Sequence, residues 1–135
     1  LQDKGNGNGA GIIGDLPKSI SEQQMLKQLQ ELFKVPAIKH NGELGRSISK
    51  VALCGGSGAF LIPDAVAMGA DIFITGEIGY HRMFDYDGRI KLVELGHYES
   101  EQFTIELLYN KLNTLCNGLK LVKTNVKTNP VNYWI

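Results

Sequence analysis

Cysteine is scarce: Cys54 and Cys116 are the only two in 135 residues. That is too few for a disulfide scaffold or a four-cysteine zinc site, and a reduced, cytoplasmic compartment is the resulting expectation. No stretch reaches the roughly 18 apolar residues that a membrane-crossing helix needs, and no signal-peptide pattern is present. Net charge is absent too, because 14 Lys and Arg offset 14 Asp and Glu. No field exists to gather nucleic acid or an anionic membrane, and no basic stripe with interleaved aromatics supports single-strand binding. Internal repeats are lacking. So is an initiating Met: the chain begins at Leu1, which reads as a processed product or an excised part.

What remains is an ordinary globular composition, 43% apolar and 21% charged, at the length of one domain. Residues 1–9 are Gly- and Asn-rich without apolar periodicity and read as a flexible lead-in or linker, leaving 10–135 as the folded unit. A short strand is expected at the paired isoleucines of 11–20. Ser21 and Gln24 then have capping-box spacing, Ile20 and Met25 suit a hydrophobic staple, and Met25, Leu26, Leu29, Leu32 and Phe33 form one helical stripe ended by Pro36. Further strands are expected at 37–40, 50–54, 71–75, 90–95 and 119–123. Helices are expected near 59–68, 78–84 and 99–116. Short apolar runs alternating with helices predict an α/β fold with much of its sheet parallel.

Charge is distributed unevenly. From Asp64 to Glu101 eight acids face only Arg82, Arg89 and Lys91, and two of the three histidines lie in that stretch. This coincidence points to a cation site. In open α/β sheets functional groups gather at the carboxyl ends of parallel strands, and three expected strands end there in glycine plus polar residues.

In Gly96-His97-Tyr98-Glu99-Ser100-Glu101 the imidazole of His97 and the carboxylate of Glu101 are four apart at a helix start, so both can face one side. That pair suits zinc, manganese, iron or nickel, although acids at this position also serve the helix dipole. Glu77 and His81 repeat the pair in the opposite order. They suit metal binding or acid–base work, or simply a capped helix with a surface histidine. Gly55-Gly56-Ser57-Gly58 lies between strand and helix, where backbone N–H groups can hold an anion or merely form a tight turn. It matches neither nucleotide-binding fingerprint.

The strings GAGIIGDL, VALCGGSG, DIFITGEIGYH and ELGHYESE, in this order, resemble the C-terminal half of the Nif-three-like dinuclear metal-centre family. Bacterial members of that family carry the name GTP cyclohydrolase 1 type 2 homologue. The resemblance runs from about Gly9 to Asn132. It implies a three-layer α/β sandwich with a mixed, mostly parallel sheet, one half of a two-lobed fold. It also implies two divalent metals in the cleft between the halves, and ring-like homohexamers. By the same resemblance His97 and Glu101 are metal ligands, Glu77 and His81 line the cleft as supporting or proton-transfer groups, and Gly55–Gly58 form pocket wall. The family's remaining ligands, a His-His pair and an Asp, belong to an N-terminal half, and no adjacent histidines occur here. The metal centre is therefore expected to be incomplete in this chain, and segment 1–9 to be a junction. The GII string also departs from the family's usual basic residue. A metal-dependent hydrolase acting on a nucleotide or other phosphate-containing small molecule is the leading expectation. A metal-bearing oligomeric scaffold or regulator without turnover is the alternative.

Overall fold

The computed structural model describes residues 1–5 and 8–134. The chain opens with a small antiparallel pair, β1 (Gln2–Gly5) and β2 (Asn8–Ala10). The Leu1 amino group donates to Gly11 O at 3.1 Å and ties this pair to the entrance of the main sheet. Regular pairing thus replaces the unstructured lead-in expected over residues 1–9, of which 6 and 7 lie outside the described residues.

The main sheet contains β3 (Ile12–Ile20), β4 (Lys39–His40), β5 (Ile48–Cys54), β6 (Ile72–Thr75) and β7 (Lys91–Glu94), in the order β3-β5-β6-β7-β4. The three central strands are parallel and both edges run antiparallel. Strand alternation divides the core in two. Ala52, Phe73 and Leu92 pack with Leu61, Ile62 and Ala65 on one face. Ile48, Ile72, Ile74 and Val93 pack with Met25 and Leu29 on the other. Both faces are covered, as parallel strands require.

The helix supplying Met25 and Leu29 is α1 (Glu22–Phe33), and its capping box forms as expected: Gln24 N donates to Ser21 Oγ at 3.2 Å, and Ser21 N donates to Gln24 Oε1 at 3.0 Å. Leu32 departs from the expected stripe and is 67% exposed. The helix stops at Lys34, in the left-handed conformation at φ 55° with its N–H on Gln30 O, before Pro36 is reached. The opposite face is covered by a single 3₁₀ turn (Ala59–Leu61), α2 (Ile62–Ala67) and α3 (Tyr80–Asp85).

Two expectations fail toward the C-terminus. The long helix is broken into α4 (His97–Glu101) and α5 (Thr104–Leu115). The break is held by Gln102, whose Nε2 donates to Phe33 O at 2.8 Å, and by Phe103, which packs edge-on against Phe33 with ring centroids 5.9 Å apart. Residues 119–123 form no strand. They begin a strap without regular structure, and no strand of the sheet pairs with them. No helix among the described residues is long and apolar enough to cross a membrane.

Candidate metal centre

Parallel register aligns the strand ends, pairing Cys54 with Thr75 and Thr75 with Glu94. Backbone pairing then continues past the strands. Gly76 N donates to Gly56 O at 2.8 Å, and Gly96 N donates to Gly76 O at 3.1 Å. Three glycines therefore sit side by side, and the residue after each projects a functional group: Ser57, Glu77 and His97.

These three side chains are joined. The Ser57 hydroxyl donates to Glu77 Oε2, and Glu77 Oε1 lies 2.9 Å from His97 Nδ1. Hydrogen bonds from Ser57 and then from His97 hold the Glu77 carboxyl below its ordinary range, outweighing the opposing effect of burial. One helical turn on, Glu101 Oε2 lies 3.6 Å from His97 Nε2. The i,i+4 placement expected for His97 and Glu101 is thus formed on α4.

Gly96 makes this turn possible. Its φ is +99°, and a Cβ there would lie 2.2 Å from Glu99 Oε2. Gly56, at φ +62°, leaves the space beside the pair open, since a Cβ would come within 2.5 Å of Glu101 Oε1 and 3.4 Å of His97 Nε2. Ser100 braces the same corner by accepting from Gly56 N at 2.9 Å and donating to His97 O at 2.8 Å.

The Gly-rich turn is used internally. Gly58 N donates to Thr75 Oγ1 at 2.9 Å, Thr75 Oγ1 donates to Gly56 O at 2.9 Å, and Gly56 N is held by Ser100. Two of the four N–H groups of Gly55–Gly58 therefore already have acceptors, and Ser57 adds a hydroxyl at the strand ends. His81 is not brought to Glu77. The segment before Tyr80 is not helical, so the four-residue spacing places the two apart, and the His81 ring lies exposed, edge-on to Tyr80 at 5.5 Å between centroids.

Residue spacing gives no sign of a second polar cluster. Glu99 is buried at 7% exposure, although its position reads as a solvated helix-start acid. Its Oε1 accepts from Asn129 Nδ2 at 2.9 Å, and the Tyr133 phenol lies near the same carboxylate. Burial and then the charge of Glu99 push the Tyr133 phenol up. Glu94 is also buried and accepts from Lys39 and from Ile78 N. The only sequence signals are the acids within the motif itself and a terminal aromatic more than 30 residues away. Strap and strand ends together enclose a cavity of about 980 Å³ lined by Glu77, His97, Glu101, Tyr98, Val126 and Tyr133, among others.

The residues present fit part of a metal site. Nitrogen and oxygen 3.6 Å apart are too distant for a good hydrogen bond. Two ligand bonds of roughly 2.0–2.2 Å can span that gap, and an imidazole with a carboxylate suits zinc, iron, manganese or nickel. Among the described residues no group of three or more His, Cys, Asp or Glu is placed to hold an ion. A tight site needs donors beyond this pair.

Comparison with known proteins agrees with this architecture. A family model described as Duf34/NIF3 (NGG1p interacting factor 3) matches residues 2–130. A Listeria innocua protein named GTP cyclohydrolase 1 type 2 homolog is 32% identical over 130 residues, covering 93% of this chain and 35% of that protein. A Streptococcus pneumoniae protein of the same name is 41% identical over 103 residues, covering 73% of this chain and 38% of that protein. Among solved structures, Staphylococcus aureus protein SA1388 superposes with a TM-score of 0.79 at 25% identity, over 93% of this chain and 42% of that one. A Bacillus cereus protein related to NIF3 superposes with a TM-score of 0.74 at 25% identity, over 92% of this chain and 36% of that one. The chain spans about a third of the length of the curated relatives it matches first.

Proposed function

The chain belongs to the Duf34/NIF3 family, and on that premise we propose that it contributes one imidazole and one carboxylate to the divalent metal centre of a hydrolase. The observation that carries this reading is the facing pair of His97 Nε2 and Glu101 Oε2 at 3.6 Å, beside a position kept clear by Gly56. The further donors come from polypeptide beyond this chain, consistent with its covering a third of its relatives. A bound divalent cation supplies acidified water and polarises the group under attack. His97 and Glu101 hold the ion. The cavity against the strap receives the substrate, and the chain's apolar strap residues there limit access of water. The relatives' name makes GTP the first substrate to assay.

A second reading, an oligomeric metal-bearing scaffold in a hexameric protein, is favoured by a separate observation. Leu107, Leu108 and Leu115 on α5, with Val122 and Trp134 on the strap, are exposed and suit contact with further polypeptide. Elemental mass spectrometry of this chain and of the longer protein containing it separates the possibilities. Under both readings the longer protein carries divalent metal, and His97→Ala with Glu101→Ala removes it. Metal without hydrolysis of GTP or phosphoesters favours the scaffold. No metal after incubation with Zn²⁺, Mn²⁺ or Fe²⁺ overturns both.

A further inference from the structure

We infer that Ser57 and Glu77 are positioning residues that hold His97 as a single tautomer, with its proton on Nδ1 and Nε2 bare toward Glu101. This rests on the metal reading for its purpose but not for its geometry. Ionised Glu77 can only accept, so Nδ1, 2.9 Å away, must donate. The proton of a neutral ring is then spent, and Nε2 keeps its lone pair, which is the form that ligates. Carboxylate–imidazole pairing of this kind orients metal-binding histidines generally.

A carboxylate on a long side chain could still swing, and the remaining contacts prevent it. Glu77 is half exposed, yet its second oxygen takes the Ser57 hydroxyl proton. Ser57 is itself held by the Gly56–Gly76–Gly96 pairing and by Thr75 beneath the turn. The chain of contacts runs from rigid sheet to hydroxyl to carboxylate to imidazole. The work of the Gly-rich turn is to aim Ser57. Glu77, with both oxygens committed, is a positioning group and not a carrier of protons.

The test uses the full 135-residue chain with ¹⁵N-labelled histidine. Only three histidines contribute, and a His97→Gln sample assigns the third. Near pH 9, where imidazole is neutral, two-bond ¹⁵N–¹H correlation spectra report the tautomer without any metal. Wild type is expected to show protonated Nδ1 at His97. Glu77→Ala removes both acceptor oxygens and should release the ring toward protonated Nε2. Calorimetric titration of the longer protein with Zn²⁺ should then show affinity lowered roughly 10–100-fold. Ser57→Ala should give a smaller loss and a mixed tautomer, and Ser57→Thr should restore both. His97 protonated on Nε2 in wild type, or Glu77→Ala with an unchanged spectrum, overturns the inference. Should Glu77→Ala not fold, as judged by circular dichroism, the Ser57 pair carries the test. Wild type with the expected tautomer but no Zn²⁺ binding even in the longer protein overturns the metal reading and leaves the positioning role standing.

Discussion

Gly96 bears two demands that no other residue type meets. Its φ of +99° disfavours any L side chain, and the space where a Cβ would go is taken by Glu99 Oε2 and, at 3.1 Å, by the Tyr133 hydroxyl. Gly96→Ala should therefore lower stability by at least about 2 kcal/mol, read as a reduced urea midpoint. It should also displace His97, the next residue, so that Zn²⁺ binding falls along with stability. A variant that binds normally and unfolds at the wild-type midpoint would show that this corner is looser than its geometry implies. Lys34 presents the contrasting case. It is the one non-glycine residue with positive φ among the described residues, and there the left-handed conformation serves to end α1, its N–H donating to Gln30 O.

At the scale of the elements, the strap is held at its far end by the Asn129 bond to Glu99. Asn129→Ala leaves a buried carboxylate oxygen without its donor, and should cost about 1–3 kcal/mol. Because Lys120, Lys123 and Lys127 lie along the same segment, limited trypsin digestion is a direct readout. Cleavage should accelerate in Asn129→Ala and again in Tyr133→Phe, with the sheet core left intact. The strap also shows where sequence patterning stops being informative. LKLVK has strand composition, but composition does not supply a partner, and none of the described strands pairs with it. The capping box of α1 is legible because all its partners lie within four residues. The break between α4 and α5 is not, since it depends on a contact with Phe33, some seventy residues earlier. Likewise His97 and Glu101 can be read from helical spacing. Glu77 finds its partner across strands, and the same spacing rule misassigns it to His81.

For the molecule as a whole, the two halves of the fold are fastened by Lys91, which is only 2% exposed. Its ammonium lies 3.0 Å from Glu22 Oε2 and donates to Asn41 O and Gly42 O, while Glu22 Oε1 accepts from Leu44 N and Gly45 N. One ion pair thus joins α1, the loop after β4 and the central sheet. Burial raises the Glu22 pKa, but the Leu44 N–H, Lys91 and the Gly45 N–H together bring it below the ordinary value. A carboxyl lowered on folding stabilises above its unfolded pKa, about 4.3, and that contribution is lost as pH falls through the folded value. Glu22→Gln should accordingly cost about 3 kcal/mol at neutral pH by leaving Lys91 without its counter-charge. The gap between variant and wild type should narrow as pH falls below about 4 and Glu22 takes up its proton in the folded chain as well. Denaturant unfolding across that range checks the sign, and a gap that widens with acid would contradict it.

The pairing of Gly56, Gly76 and Gly96 bears on which changes in length the chain can absorb. Ser57, Glu77 and His97 come from three separate stretches, each twenty residues from the next, yet they meet because the strands run in step. Residues gained or lost where chains enter the sheet, as around Gly69 or Gly88, alter the loops and leave that phase untouched. One residue gained between Thr75 and Gly76 would turn Glu77 away from both neighbours while every local motif remained readable. What must be preserved from one relative to another is therefore a count along the sheet, and two sequences can share each motif and still differ in whether those motifs meet.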